Sequence, residues 1–293
     1  MGVLMNKFVS LTVLAMFLVT CGNSSAKGVG ESNSYHGPTG LQLYSLRDQF
    51  KAQGVVPVLD LVQKWGFKYV EVSDTYGMTL EEFKKELDKR NLVPIGKHFP
   101  YDRLKNDIEG VIKEAKALGL TSVGCAWLGH KAPFDEKQCR AGAEVFNKAG
   151  KALAEQGIKF YFHNHGFEFA PHGDGTLFDL LVKETDPKYV SFQMDVMWTI
   201  FPGQDPVKLI EKYPDRWFMF HLKDLKKGVP TGSLAGKTDL TNDVAIGTGQ
   251  VNWAALLKVA QKVGVKYYFI EDESPTVVDQ IPQSLKFLEQ LEF

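Results

Sequence analysis

Eight apolar, strand-like runs alternate with eight amphipathic, helix-like segments between residues 41 and 290 of this chain. The strand-like runs lie near 41–46, 68–73, 92–97, 121–127, 158–164, 190–195, 216–222 and 266–271. The helix-like segments lie near 55–65, 79–90, 103–118, 136–156, 175–185, 205–212, 251–263 and 276–290. Such alternation predicts parallel strands covered by helices. Eight units in about 250 residues favour a closed (β/α)8 TIM barrel, with a doubly wound open sheet as the alternative.

The glycines of the chain support this division into units. Four predicted helices are followed directly by glycine, at Gly66, Gly119, Gly157 and Gly264, where a left-handed residue commonly ends the last turn. No G-x-G-x-x-G motif follows the first strand, which disfavours a dinucleotide-binding open sheet. The connection over residues 224–250 is long and polar and contains five glycines, as is common for loops that close over a binding site.

Four metal-competent side chains follow strand-like runs in the second half of the chain: Glu168, Asp195, His221 and Glu271. Parallel strands bring their carboxyl ends to one edge of the sheet, where α/β folds keep their active sites. We therefore expect the four side chains to converge. Three carboxylates and one imidazole are a suitable ligand set for a divalent metal ion.

Each of these four residues also has a purely structural interpretation. Asp195 and Glu271 are suitably placed to cap the helices that follow them. His221 at a strand end is compatible with a hydrogen-bonded core histidine, and Glu168 with a solvated loop residue. The metal hypothesis therefore depends on the set of four at consecutive strand ends, and not on any one member.

The N-terminus is predicted to be a signal peptide over residues 1–20. Lys7 precedes the apolar run 8–19, and the Leu-x-x-Cys ending at Cys21 is similar to that of bacterial lipoproteins, in which the cysteine is lipidated. A cleaved signal with an incidental Cys21 is the alternative. Residues 21–38, rich in Gly, Ser and Asn, are predicted to be a flexible linker, and residues 39–293 a single catalytic domain. The predicted location is periplasmic or membrane-anchored, in a Gram-negative-type bacterium.

Composition excludes several classes of partner. The formal net charge is -1 at pH 7, and no run of like charge is long enough to follow a phosphate backbone, so nucleic acid is not an expected partner. Contact with a membrane is expected only through a lipid on Cys21. A disulfide between Cys125 and Cys139 is permitted outside the cytoplasm but not required by their spacing. The sequence makes no prediction of oligomeric state.

Five segments are distributed through most of residues 40–290, at 41–48, 162–169, 220–224, 247–253 and 269–271, from Leu-Gln-Leu-Tyr-Ser-Leu-Arg-Asp to Phe-Ile-Glu. Together, in this order and spacing, they resemble the xylose-isomerase-like barrels of the sugar phosphate isomerase/epimerase superfamily. The resemblance implies that Glu168, Asp195, His221 and Glu271 hold one divalent ion, namely manganese, magnesium, cobalt or zinc. It also implies that Glu168 and Glu271 move the proton through an enediolate in an isomerase or epimerase.

The chain departs from the epimerases of this group at two positions. Trp198 stands where they carry a substrate-contacting histidine, and Lys227 where they carry an arginine. Trp198, with Phe201 and Trp127, is a candidate stacking wall for a pyranose or glycoside, and aromatic core packing is the alternative. The candidate substrate-binding residues are Lys97, His98, Trp127, His165, Trp198, Lys223 and Lys227.

The expected substrate is an unphosphorylated sugar or keto-sugar, because sugar phosphates are cytoplasmic and the chain has no P-loop. Two alternatives to isomerisation or epimerisation remain open. One is a keto-glycoside lyase or hydratase on the same site, and the other is a non-catalytic carbohydrate-binding lipoprotein. A second ion held by His163 and His165 is a further, less favoured possibility.

Overall fold

Eight parallel strands form one sheet in the computed structural model, which describes residues 1–2 and 27–293. The strands are β1 (Thr39–Gln42), β2 (Tyr69–Val72), β3 (Val93–Lys97), β4 (Ser122–Cys125), β5 (Lys159–His163), β6 (Val190–Asp195), β7 (Trp217–Leu222) and β8 (Tyr267–Ile270). Their order in the sheet is β3-β2-β1-β8-β7-β6-β5-β4. The predicted TIM barrel is therefore confirmed.

The barrel is completed between β3 and β4, where the hydrogen bonding is sparse. A single parallel bridge joins His98 to Gly124, and the Thr121 amide donates to the Ile95 carbonyl at 3.2 Å. A Cβ on Gly124 would lie 2.3 Å from the Tyr161 ring and 2.6 Å from the His98 ring. Only glycine at this position allows both rings to enter the barrel at the closing seam.

Eleven helices cover the described part of the sheet or cap its ends. They are α1 (Arg47–Gln53), α2 (Val55–Lys64), α3 (Leu80–Lys89), α4 (Tyr101–Asn106), α5 (Ile108–Leu118), α6 (Glu136–Ala154), α7 (Leu177–Glu184), α8 (Val196–Ile200), α9 (Pro206–Lys212), α10 (Trp253–Val263) and α11 (Val277–Gln290). Their apolar faces pack on the outside of the sheet in one continuous core. Cys125 and Cys139 lie in this core as free, buried thiols.

The structure differs from the sequence prediction mainly at element boundaries. The first strand ends at Gln42, and Leu43–Leu46 is a 3-10 turn because the Gln42 side chain accepts the Tyr44 amide. The predicted helix over 103–118 is split into α4 and α5 at Asp107, whose φ of -145° is not helical. These differences follow from side-chain capping, which hydrophobic periodicity does not report.

The register of the strands places polar side chains above an apolar layer. Side chains alternate along a strand, so Tyr161 and His163 share one face of β5, and Met219 and His221 one face of β7. Tyr161 and Met219 belong to a small buried cluster with Ile95. The polar partners follow at the carboxyl ends of the strands, where the interior of the barrel meets the cavity that holds the candidate site.

The N-terminal segment is folded onto the domain from residue 27 onward. Tyr35 is buried and packs edge-on against Tyr268 at 5.3 Å, and Ser34 Oγ donates to Glu292 Oε2 at 2.8 Å. The part of the predicted linker 21–38 that the structure describes is therefore an ordered contact with the C-terminus, because Tyr35 buries a large apolar ring. The predicted signal peptide and Cys21 lie outside the described residues. Among the described helices, none has the length and apolar character needed to cross a bilayer.

Candidate metal and substrate site

Three of the four predicted metal ligands converge at the carboxyl ends of neighbouring strands. Asp195 ends β6, His221 lies in β7 opposite it, and Glu271 follows β8 directly. One ligand atom from each of the three lies within 4.8 Å of the others. All three side chains are buried. The arrangement is the one that the strand-end argument predicts for these residues.

The structure does not bring Glu168 into this group. Glu168 lies in the 3-10 turn Phe167–Phe169, five residues beyond the end of β5, and its Oε2 accepts the His165 amide at 2.9 Å. Its Oε1 is buried without a hydrogen-bond partner, and the residue is absent from the lining of the cavity. Glu168 is therefore not among the three donors that converge here, because the chain leaves the strand at His163 and the alternation of side chains no longer applies. Its metal-binding and catalytic roles stay predictions.

His163 occupies the strand-end position beside the cluster. Its Nε2 lies 4.0 Å from Asp195 Oδ2, a separation that two ligands of one ion at about 2.0–2.2 Å each can span. Burial, together with the nearby His221, holds the pKa of His163 well below its usual range. The imidazole is therefore neutral, which is the form that binds a metal ion.

Two buried acceptors fix the orientation of the histidines. Gln193 Oε1 accepts from His163 Nδ1 at 3.0 Å, and Glu71 Oε2 accepts from His221 Nε2 at 2.5 Å. Each ring is thus held by one nitrogen, while its other nitrogen faces the cluster. Metal-binding histidines are commonly oriented in this way by an acceptor behind the ring.

Asp195 provides an observation that tests whether these donors fit a metal ion. Its Oδ1 accepts the Trp198 amide at 2.8 Å and so caps α8, as the structural interpretation requires. Its Oδ2 is buried without a partner, and burial raises the pKa of Asp195 to about 7. An unsatisfied buried carboxylate oxygen is costly. A cation beside Oδ2 removes that cost, so the residues present fit a divalent ion.

Lys223 places a positive charge beside the carboxylate cluster. Its ammonium group is buried and lies 2.6 Å from Glu273 Oε1, 3.3 Å from Glu271 Oε2 and 3.7 Å from Asp243 Oδ2. Burial alone would raise the pKa of Glu271, but the charges of Lys223 and His221 hold it well below the usual range. Glu271 is therefore an ionised carboxylate at neutral pH.

His221 lies between two carboxylates. Its Nδ1 is 3.1 Å from Glu271 Oε2, opposite the bond from Nε2 to Glu71. Burial opposes the charged form of the ring, but the charges of Glu71 and Glu271 raise the pKa of His221 to about 10. Without an ion the ring is an imidazolium that links the two carboxylates.

A cavity of about 520 Å³ opens above the cluster. Five of the seven predicted substrate-binding residues line it, namely His98, Trp127, His165, Trp198 and Lys223. Lys227 is exposed and outside the lining. The segment Gly236–Leu240 of the long polar loop also contributes to the lining, in agreement with the prediction that this loop covers the site.

Lys97 points away from the cavity, contrary to its predicted role. Its ammonium group pairs with Glu114 on α5, and Arg103 holds the same carboxylate at 2.7 Å. The reason is a bulge at Ile95, because β2 pairs with Pro94 and then with Gly96. The extra residue reverses the alternation of side chains, so that His98, and not Lys97, faces the interior.

Trp127 and Trp198 contribute to the cavity in different ways. Trp127 is 42% exposed and stacks on His130 with an interplanar angle of 22°. A Cβ on Gly236 would lie 2.8 Å from its ring, so the covering loop needs glycine at this contact. Trp198 is buried and packs against His165 and Phe201. Trp127 thus presents an exposed ring to the cavity, whereas Trp198 is mainly packed into the cavity wall.

Three residues of the site were not among the predicted substrate contacts or the ligands predicted for the single ion: Glu71, Gln193 and His163. The sequence suggested His163 only as a ligand of a second ion. All three are polar residues inside otherwise apolar strands. Buried polar groups require partners, so this interruption of the apolar pattern is the signal that sequence reasoning had available. It indicates an inward-facing polar layer but does not identify which partners meet.

We expect replacement of Glu168 by glutamine to leave metal binding intact and to change the pH dependence of stability. Burial raises the pKa of Glu168 to about 8, above the ordinary value for an unfolded chain, so the neutral carboxyl stabilises the fold below about pH 5. That stabilisation is lost as pH rises towards 8, by up to about 1.4 kcal/mol per pH unit. Urea unfolding at pH 5, 6.5 and 8 measures the difference between wild type and Glu168→Gln. Loss of metal from the variant would contradict this account.

Comparisons with known proteins identify the barrel family to which the chain is similar. The family model for the xylose isomerase-like TIM barrel matches residues 59–291. An inosose dehydratase of Clostridium botulinum is 22% identical over 253 residues, covering 75% of this chain and 83% of that protein. An inosose dehydratase of Bacillus anthracis is 27% identical over 188 residues, covering 56% of this chain and 61% of that protein.

Two solved structures show the same fold. A sugar phosphate isomerase/epimerase from Parabacteroides distasonis has a TM-score of 0.72 at 24% identity, covering 87% of this chain and 95% of that one. The IolI protein, solved with a bound zinc atom, has a TM-score of 0.68 at 14% identity, covering 85% of this chain and 95% of that one.

Proposed function

The chain belongs to the family of xylose isomerase-like TIM barrels, and from this membership we propose a divalent-metal-dependent enzyme that acts on an unphosphorylated keto-sugar or keto-polyol. The reaction begins with removal of a proton from the carbon next to the carbonyl. The observation that carries the proposal is the unpartnered Asp195 Oδ2 beside His163, His221 and Glu271, of which His163 and Glu271 line the cavity. The predicted enzyme class, isomerase or epimerase with lyase or hydratase as the alternative, agrees with the names of the relatives.

The four residues that would hold the ion are His163, Asp195, His221 and Glu271. Two imidazoles and two carboxylates suit zinc, manganese or cobalt better than magnesium, which prefers oxygen ligands alone. When bound, the ion supplies a Lewis acid that polarises the substrate carbonyl and makes the neighbouring C–H more acidic. This assignment replaces Glu168 of the predicted set by His163.

The protein groups around the cavity suit proton removal by one base. Glu271 is ionised and is the carboxylate of the predicted catalytic pair that reaches the cavity. Trp127 offers a flat apolar face for a sugar ring, and Lys223 keeps Glu271 in its basic form. These side chains bind and orient the substrate and accept the proton, as general base catalysis requires.

The position of Glu168 favours elimination over epimerisation. An epimerase needs proton-transfer groups on both faces of the sugar, and of the two predicted proton-transfer carboxylates only Glu271 lines the cavity. A lyase needs a base that removes the α-proton and a proton donor for the departing hydroxyl. The C–O bond then breaks, water is released, and the product is an enone. The imidazole of His98 lines the cavity and is the donor we assign to that hydroxyl. The match to inosose dehydratases supports the same choice.

The test is incubation of the metal-loaded protein in D2O with ketoses, inososes and 3-keto-glycosides. We expect deuterium uptake at the carbon next to the carbonyl, together with loss of water seen by mass spectrometry and by enone absorbance. Deuterium uptake with an isomer as product would instead identify an isomerase or epimerase. Metal-dependent thermal stabilisation by a sugar that is recovered unchanged and unlabelled would contradict the enzymatic proposal.

Trp127 provides a prediction about substrate affinity. We expect Trp127→Ala to raise KM roughly fivefold with little change in kcat, because loss of aromatic stacking costs about 1 kcal/mol of binding. Trp127→Phe keeps a ring and should recover most of the affinity. Steady-state kinetics of both variants on the identified substrate measure the effect. A fall in kcat at unchanged KM would place Trp127 in the chemistry and not in the stacking wall.

We also propose export and a lipid anchor, which the apolar run 8–19 and Cys21 support. The expected result is incorporation of labelled fatty acid into the full-length protein expressed in a Gram-negative host. The Cys21→Ser variant should lose the label and leave the membrane fraction. Equal labelling of both proteins would exclude Cys21 as the lipidated residue.

A further inference from the structure

Glu71 is the most connected buried side chain of the barrel interior. It lies in β2, whereas the four proposed ligands lie on or directly after β5, β6, β7 and β8. Its side chain is fully buried and reaches into the barrel interior. Donors from several other strands reach its two oxygens. They come from Gln42 at 2.7 Å, Gln193 at 3.1 and 3.2 Å, His98 at 3.1 Å, His221 at 2.5 Å and the Tyr161 hydroxyl.

The chemistry of the partners determines the direction of these bonds. A carboxylate only accepts hydrogen bonds, so the amide NH2 of Gln193 must face Glu71. The amide oxygen of Gln193 then faces the other way, where it accepts from His98 Nε2 at 2.8 Å and from His163 Nδ1 at 3.0 Å. Glu71 thereby fixes the side-chain amide that in turn orients His163.

The contact with His221 is direct. Because Glu71 can only accept, Nε2 of His221 must carry a proton, and the ring is held with Nδ1 towards Glu271 Oε2 at 3.1 Å. On the basis of the metal site proposed above, we infer that Glu71 is the positioning residue that makes His221 a ligand through Nδ1. Through Gln193 it also makes His163 a ligand through Nε2.

This role gives a reason for a buried anion in the polar layer of the barrel interior. A buried carboxylate is costly unless fully hydrogen-bonded, and here it receives donors from five other residues. A carboxylate behind a metal-binding imidazole fixes its tautomer and increases its basicity, and its removal commonly lowers metal affinity about 10- to 100-fold. Glu71 acts on both histidines and touches neither of the ligand carboxylates among the recorded contacts.

The test compares metal affinity in wild type, Glu71→Gln and Tyr161→Phe. Zinc and cobalt dissociation constants are measured by competition with a chelator, and the visible spectrum of the cobalt protein reports ligand geometry. We expect Glu71→Gln to weaken binding about 10- to 100-fold and to alter the cobalt spectrum. Tyr161→Phe removes a donor from the same carboxylate without touching a histidine, and we expect it to stay within threefold of wild type.

Metal binding by wild type tests the proposed metal site, and the difference between wild type and Glu71→Gln tests the role of Glu71. If wild type binds no metal, the proposed metal site itself fails. If wild type binds metal and Glu71→Gln binds it equally well with an unchanged cobalt spectrum, only the role of Glu71 is overturned. An equal loss in both variants would mean a general effect on packing, which would also overturn it.

A measurement on the wild type alone covers the case in which Glu71→Gln does not fold. Long-range proton–nitrogen NMR spectra of the zinc-loaded protein identify which ring nitrogen carries the proton. We expect a protonated Nε2 on His221 and a protonated Nδ1 on His163. A proton on Nδ1 of His221, with zinc on Nε2, would overturn the inference.

Discussion

The His221→Ala variant is expected to lose both the bound metal ion and nearly all turnover. The side chain supplies one of four proposed ligands and is enclosed between Glu71 and Glu271. The Lewis-acid contribution of a bound ion is worth several kcal/mol, and each 1.36 kcal/mol is a factor of ten in rate. We therefore expect kcat/KM to fall at least about 1,000-fold.

Metal analysis by mass spectrometry, beside the deuterium-exchange assay, measures this effect. His36→Ala is the matched control, because His36 is exposed and lies on the N-terminal segment, away from the cavity. It should retain about one ion per chain and full activity. A His221→Ala variant that keeps one ion per chain with unchanged affinity would contradict the proposed ligand set.

The Lys223→Met variant is expected to lose stability and to shift its activity to higher pH. Its ammonium group lies among Glu271, Glu273 and Asp243 in a buried site. Removing one partner of a buried charge cluster commonly costs about 3–5 kcal/mol, because the remaining charges are left uncompensated. Lys223 also lowers the pKa of Glu271, so without it the catalytic carboxylate becomes ionised only at higher pH.

Denaturant unfolding and the pH profile of kcat/KM measure the two effects. Lys97→Met is the matched control, since Lys97 also stands at a strand end but pairs with Glu114 outside the barrel. The control should cost less stability than Lys223→Met, because Arg103 still compensates Glu114, and it should leave the pH profile unchanged. A Lys223→Met protein with the same unfolding free energy as wild type, and the same acid limb in its kcat/KM–pH profile, would contradict the role of Lys223 in keeping Glu271 ionised.

The architecture could be predicted from sequence because it depends on repeated patterns. Each β/α unit carries its own apolar run and amphipathic segment, so an error in one unit does not alter the count. The placement of Asp195, His221 and Glu271 followed from the same rule, because each stands within one residue of the end of a strand. Parallel topology then brings them to one edge.

The structure differs from the predicted site where a single residue of register matters. His163 and Glu168 are both polar residues after an apolar run, and choosing between them requires the last residue of β5, which the structure places at His163. Lys97 and His98 are neighbours whose orientation depends on the bulge at Ile95. Hydrophobic periodicity does not locate the last residue of a strand or the position of a bulge.

The hydrogen-bond network around Glu71 could not be predicted from the sequence for a second reason. A glutamate inside an apolar strand indicates a buried polar contact, but its partners come from residues as distant in sequence as Gln193 and His221. Only the closed barrel brings these strands into contact. Partner identity in a buried network is therefore a property of the tertiary structure.

The most direct test of the account is anomalous diffraction from crystals of the protein grown with zinc or cobalt. The account predicts one anomalous peak above the barrel, coordinated by His163 Nε2, Asp195 Oδ2, His221 Nδ1 and a Glu271 oxygen, with Glu168 remaining outside the cavity. A peak coordinated by Glu168 in place of His163 would contradict it, as would a metal-soaked crystal with no ion among these four residues.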